Sequence, residues 1–93
     1  MISCDGERCT LDGPVTMENV TAVLAESAAL FKSPRVVVDL KGLTEVDSAA
    51  LSLLLEWRRA AARENRRIEF ENVPPNLTSL AQLYGVADLI GRA

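Results

Sequence analysis

The sequence predicts an α/β domain in which a small, mixed, four-stranded β-sheet carries helices packed against it. Three observations lead there. Val36-Val37-Val38 is a run of β-branched residues in mid-chain, as a strand buried on both faces requires. An apolar repeat of helical period follows over 48–64. Shorter stretches on either side set the order β-β-α-β-α-β-α, in which strands separated by helices become parallel through right-handed crossovers while an opening hairpin stays antiparallel.

The 93 residues, 48% hydrophobic and 25% charged, fit one domain over 1–93, long enough to bury roughly 60–65% of the surface of the unfolded chain. Asp5-Gly6 lies between Ile2-Ser3-Cys4 and Arg8-Cys9-Thr10-Leu11 and reads as a hairpin turn. A two-residue Asp5-Gly6 turn sets Cys4 across from Glu7 and Ile2 across from Cys9, so the thiols do not meet; a looser four-residue loop pairs them. Two cysteines make no disulfide framework and no zinc site, and both are read as small strand residues.

Thr16 is a suitable N-cap with Glu18 in the first turn, and Met17, Val20, Val23, Leu24, Ala28 and Phe31 recur at helical spacing. The first helix is therefore placed at about 17–32, ended by Ser33-Pro34. Arg35 to Leu40 form the central strand; Lys41-Gly42 turn the chain, and Leu43 to Val46 are read as a loop. Asp47 and Ser48 both suit the cap of a second helix over about 48–64. Arg67 to Glu71 alternate polar with apolar as a strand does, Pro74-Pro75 end it, and Leu77, Leu80, Ala81, Leu83 and Tyr84 form a short third helix with Gly85 as its C′ residue.

At 100° per residue from Ser48, Ala50, Leu53, Leu54, Trp57, Ala60 and Ala61 fall between about 120° and 240° and make the core face of the second helix. Ser48, Ser52, Glu56, Arg59 and Arg63 form a polar stripe, and Leu51, Leu55 and Ala62 lie between stripe and core. That apolar arc is wider than one buried face needs. Either the third helix covers Leu51 and Leu55, or they are the apolar centre of a docking patch rimmed by Ser48, Ser52, Glu56 and Arg59. Ser48 likewise has two readings: a capping serine, or an exposed hydroxyl at the positive end of a helix dipole, where phosphorylation adds about −1.5 to −2 charges and acts as an off-switch.

Composition excludes much. Without histidine there is no Ser-His-Asp or Cys-His centre and no imidazole metal site or proton relay. Asp39, Glu45 and Asp47 could approach one another at one strand-to-helix end, but without a metal-spaced set or a glycine-rich phosphate loop they make a poor active site, so the chain is expected to be no enzyme and to hold no metal or cofactor. Arg58, Arg59, Arg63, Arg66 and Arg67 crowd a helix C-terminus, where Glu56 and Glu64 are near enough to pair with them. A net charge of −3, with no aromatic residues among these arginines, argues against nucleic acid. No apolar run is long enough to cross a membrane, the first residues do not resemble a signal peptide, and a cytoplasmic protein is expected.

Val37-Val38-Asp39-Leu40-Lys41-Gly42-Leu43-Thr44-Glu45-Val46-Asp47-Ser48-Ala49-Ala50-Leu51-Ser52-Leu53-Leu54-Leu55 resembles the signature of the STAS domain family, in which a strand ending in Asp-Leu leads to Asp-Ser or Asp-Thr opening a helix. Thr78 to Val86 are similar to the third helix of the family's MlaB-like group, the cytoplasmic STAS subunits of the Mla phospholipid ABC transporters that maintain outer-membrane lipid asymmetry. The resemblance implies a STAS-like fold and a non-enzymatic adaptor, peripheral to the inner membrane. Its partner would be the transporter's ATPase subunit and, through it, the permease. The implied contact residues are Thr44, Glu45, Asp47, Ser48, Leu51, Ser52, Leu55, Glu56 and Arg59.

Ser48 also corresponds to the serine phosphorylated in anti-sigma factor antagonists by kinase-type anti-sigma factors, which gives the alternative function. Ala49-Ala50 replace the Ser/Thr-Gly that commonly follows there, and a Cβ at 50 leaves less room for a kinase to approach the backbone. A module that itself holds a nucleotide or lipid is a third class.

Overall fold

The computed structural model describes residues 1–90. Its elements are β1 (Ile2–Asp5), β2 (Arg8–Leu11), β3 (Gly13–Val15), α1 (Val20–Leu30), β4 (Arg35–Asp39), β5 (Leu43–Val46), α2 (Ser48–Arg63), β6 (Arg67–Glu71), α3 (Pro75–Leu83) and α4 (Ala87–Ile90). The expected mixed four-stranded sheet is present in the order β1-β2-β4-β6. The hairpin pair is antiparallel, and β2-β4 and β4-β6 are parallel. The stretch expected as a loop over 43–46 is instead β5, parallel to β3 in a separate two-stranded ribbon. Each ribbon strand is only three or four residues long, so its partner, rather than its own pattern, makes it a strand.

Helices cover one face of the main sheet. Ile2, Cys9, Leu11, Val36, Val38, Leu40 and Ile68 turn to that side and pack in one cluster with Val23, Leu53, Leu54, Trp57 and Leu77. The central strand is not covered by helices on both faces, as its apolar run had suggested. Val37 is buried but stands outside that cluster, and strand alternation turns it to the opposite side, in register with Arg8 and Glu69. There, ion pairs Arg8–Glu71, Arg35–Glu7 and Arg35–Glu69 cross the strands. The stems of the long charged side chains, rather than a helix layer, shield the valine.

The hairpin turn differs from the expected one by a single residue. Gly6 has φ +67° and occupies the first central position of a Gly6-Glu7 turn, where a type II′ geometry takes glycine. Ile2 therefore pairs with Leu11, Cys4 with Cys9 and Asp5 with Arg8. The two cysteines meet after all, joined as a disulfide with Cα atoms 4.0 Å apart.

The first helix begins later than Thr16 suggested. The Thr16 and Asn19 side chains hold a turn ahead of it, with the Asn19 Oδ1 accepting from the Thr16 N–H at 2.9 Å and its amide donating to the Pro14 carbonyl. The helix then starts at Val20 and ends at Leu30. Its buried side is a narrow stripe of Val23 and Ser27 flanked by half-buried Val20 and Phe31; Leu24, Ala28 and Met17, all expected inside, are exposed. Ser27 is buried because it serves Trp57, whose indole N–H donates to its Oγ at 2.8 Å. Pro75 opens α3 at a position where its missing N–H costs nothing, and Gly85, at φ +72°, closes it as expected. Leu83 and Tyr84 nevertheless lie exposed.

Asp39 ends the central strand almost wholly buried, its carboxylate taken up by its own hydrogen bonds rather than open to solvent. It accepts from the Asn72 amide and the Lys41 N–H, both at 3.0 Å, with the Arg8 guanidinium 3.7 Å away. Hydrogen bonding from Asn72, followed by that from Lys41, holds its pKa below the ordinary carboxylate range despite burial. A depressed folded-state pKa contributes stability above the unfolded value of about 3.9 and loses it as pH falls through the folded value. The gap in urea midpoint between the wild type and Asp39→Asn is therefore expected to be widest near neutral pH and to narrow on acidification below about pH 4.

Candidate functional site

The residues expected to meet a partner lie along β5, at the opening of α2 and on the first turns of its outer stripe. Asp47, not Ser48, caps the helix: its Oδ1 accepts from the Ala49 N–H at 2.8 Å. Its other oxygen accepts from the Met17 N–H at 3.1 Å, which fastens the turn before α1 to the mouth of α2. One carboxylate thus fixes two segments. Ser48 becomes the first helical residue, exposed, with its hydroxyl free of the capping task.

This division of labour has a direct consequence. Asp47→Ala is expected to lower stability by about 0.5–2 kcal/mol through loss of the cap. Ser48→Ala should stay within about 0.5 kcal/mol of the wild type. Urea denaturation followed by circular dichroism separates the two.

Thr44, Glu45, Ser48, Ser52 and Arg59 are exposed, while Asp47, Leu55 and Glu56 are half-buried. Glu56 is held by Arg59 at 3.2 Å and Arg63 at 3.4 Å, and hydrogen bonds from those two arginines keep its pKa below the usual value. Leu51 departs from the expected patch. It is 3% exposed and belongs to the core cluster, so it presents no surface to a partner. The third helix packs on α2, and Leu55 rests partly against the same core. Of the two readings of the wide apolar arc, burial in the core accounts for Leu51 entirely and for Leu55 in part.

Met17 is the residue that sequence reasoning missed. Counted there in the core stripe of the first helix, it is instead 75% exposed and tied to the residue that caps α2. Asn19 stands at the N-cap position but bonds back to Thr16 and Pro14 instead of capping, so the late start of the helix had no clear mark in the sequence. The resulting surface joins exposed Met17, tied by its N–H to Asp47, with exposed Thr44, Glu45, Ser48 and Ser52. Such a mixture suits a protein partner.

The arginine cluster at the far end of α2 is largely spoken for, as its neighbouring acids suggested. Arg59 and Arg63 bind Glu56, and Arg66 binds Glu64 and the Ser33 carbonyl. A cleft of about 350 Å³ lies beside it, lined by Arg58, Asn65, Arg66 and Arg67. Among the described residues no group of three or more Cys, Asp or Glu side chains is placed to hold a metal, and no helix is long and apolar enough to cross a membrane.

A family model described as the MlaB STAS domain matches residues 4–91. The chain belongs to the STAS family. STAS domains are generally regulatory or adaptor modules that act through protein–protein contacts. The fold is also similar to that of SpoIIAA, described as an anti-sigma factor antagonist, in its unphosphorylated form: TM-score 0.76 at 16% identity, covering all of this STAS domain and 86% of that chain. The phosphorylated form of the Bacillus SpoIIAA matches with a TM-score of 0.72 at 19% identity, covering 100% and 89%. A chain named Mglu carries a similar unit, with a TM-score of 0.62 at 22% identity over 81% of this domain but only 20% of its own length. At these identities the likenesses establish the fold alone. Comparison with curated protein sequences gives no match.

Proposed function

We propose that this STAS domain is a non-enzymatic adaptor of an ABC-type phospholipid transport system that maintains outer-membrane lipid asymmetry. It docks on the cytoplasmic ATPase subunit, and through it reaches the permease at the inner membrane. The contact surface is the opening of α2 and the strand before it: Thr44, Glu45, Asp47, Ser48, Ser52, the exposed part of Leu55, Glu56 and Arg59, with Met17 as an apolar neighbour. The observation that carries this reading is the exposed Ser48 hydroxyl, freed from capping by Asp47, in a chain matched to the MlaB group over 4–91. A residue that the helix does not need, at its positive end and open to solvent, is suited to contact.

The likeness to SpoIIAA, known in unphosphorylated and phosphorylated forms, favours a second reading as an anti-sigma factor antagonist switched at Ser48 by a kinase-type anti-sigma factor. The Ala49-Ala50 departure weighs less against it than the sequence suggested, because Ala50 is 3% exposed and its methyl group is in the core rather than in a kinase's path. The ranking therefore rests on the family match. Affinity purification of the tagged protein from its native membranes in mild detergent, with mass spectrometry of retained proteins and of Ser48, separates the two. An ABC ATPase with its permease supports the adaptor; a soluble histidine-kinase-like ATPase with phosphorylated Ser48 supports the antagonist.

A further inference from the structure

The Cys4–Cys9 disulfide closes a loop that needs no closing. It spans five positions, across a hairpin already defined by the Gly6 turn, and Ile2 and Leu11 on the same pair of strands are buried in the core. At the open end of the hairpin the backbones of Met1 and Asp12 bond to each other in both directions. With the thiols reduced, every one of these restraints remains, and Cys9, at 1% exposure, is well suited as a small apolar core residue. Both redox forms are thus compatible with one fold.

The two sulfurs differ in access. Cys9 lies on β2, an inner strand with neighbours on both sides, whereas Cys4 is half-buried on β1, the edge of the sheet. Opening of β1 alone uncovers Cys4, and edge elements open at far lower cost than inner ones.

We propose that Cys4 and Cys9 are a reversible dithiol–disulfide pair, reached through Cys4, that controls how readily β1 opens. In reduction, a glutathione thiolate attacks the Cys4 sulfur, the Cys4–Cys9 bond breaks, and Cys9 leaves as a thiolate that takes up a proton. A second glutathione thiolate then attacks the glutathione sulfur of the mixed disulfide, releasing the Cys4 thiolate and glutathione disulfide. Oxidation is the reverse, with glutathione disulfide as the oxidant. The pair lies apart from the opening of α2, so this inference stands independently of the proposed docking partner.

The test uses the full chain equilibrated in reduced and oxidised glutathione at varied ratio, acid-quenched, alkylated and weighed, with circular dichroism recording the fold. The expected result is a titration between dithiol and disulfide in which the protein stays folded throughout. Amides of Ser3 and Asp5, which face β2 in the bonded pairs of the ladder, should exchange at least about tenfold faster in the reduced form. In Cys9→Ala, glutathione disulfide should modify Cys4 readily, while Cys9 in folded Cys4→Ala should react at least about tenfold more slowly. A chain that remains dithiol in glutathione disulfide overturns the proposal. So does a disulfide that yields to glutathione only after unfolding, or a Cys9 that reacts as fast as Cys4. The wild-type titration decides the matter even if a variant fails to fold.

Discussion

Replacing Trp57 with alanine is expected to destabilise the domain by about 3–5 kcal/mol. The indole is 3% exposed and links three elements. Its ring meets Phe31 edge-on at 5.1 Å after α1 and stacks on Phe70 of β6 at 6.4 Å, while its N–H donates to buried Ser27. Truncation removes the packing of all three and opens a large cavity. For a 93-residue domain with a total stability of about 5–14 kcal/mol, the loss takes away a large share of the folded state's margin. Trp57→Phe keeps most of the volume and is expected to cost clearly less than the alanine variant, because Ser27 retains its bond to the Leu24 carbonyl. Urea denaturation followed by far-ultraviolet circular dichroism measures both, since either change removes the single tryptophan.

The second large effect is on binding. Ser48→Asp places a carboxylate beside Asp47 and near Glu45 on an exposed face, and Ser48→Leu puts bulk there. Either is expected to weaken the proposed docking on an ATPase subunit by about tenfold to a hundredfold, equivalent to about 1.4–2.7 kcal/mol. Folding should be almost untouched, because the cap belongs to Asp47. A change in affinity with an unchanged urea midpoint identifies a contact residue. A fall in both would return Ser48 to a structural role.

How much of this was legible in the sequence depended on whether an element carried its own information. The run Val36-Val37-Val38 identified the central strand because no helix spacing fits it, and α2 could be read around its circumference because sixteen residues average out single exceptions. The ribbon of β3 and β5 was not legible: Gly13-Pro14-Val15 and Leu43-Thr44-Glu45-Val46 have no pattern of their own and become strands through each other. The cysteine pairing turned on whether Gly6 takes the second or the first central place of a two-residue turn. A shift of one residue moves each side chain to a new partner, and only the observed register brings Cys4 opposite Cys9.

At the candidate site, the sequence offered Asp47 and Ser48 as equal candidates for one cap. The choice needed the Met17 N–H, thirty residues away, which the second oxygen of Asp47 satisfies. Leu51 could not be removed from the docking patch until the helices packed on α2 were in place and it proved 3% exposed. Ser27 is a similar case: a lone serine on a helix gives no sign of burial until the indole that requires it is placed.

The opening of α2, through Ser48, is proposed to bind the ATPase subunit of an ABC transporter. The most direct measurement is a quantitative membrane pull-down of wild type, Ser48→Ala and Ser48→Asp side by side, with each protein's folding checked by its urea midpoint. An ABC ATPase and its permease are expected with the wild type, and their loss with folded Ser48→Asp. Retention of the same ATPase by Ser48→Asp at the wild-type level would contradict it.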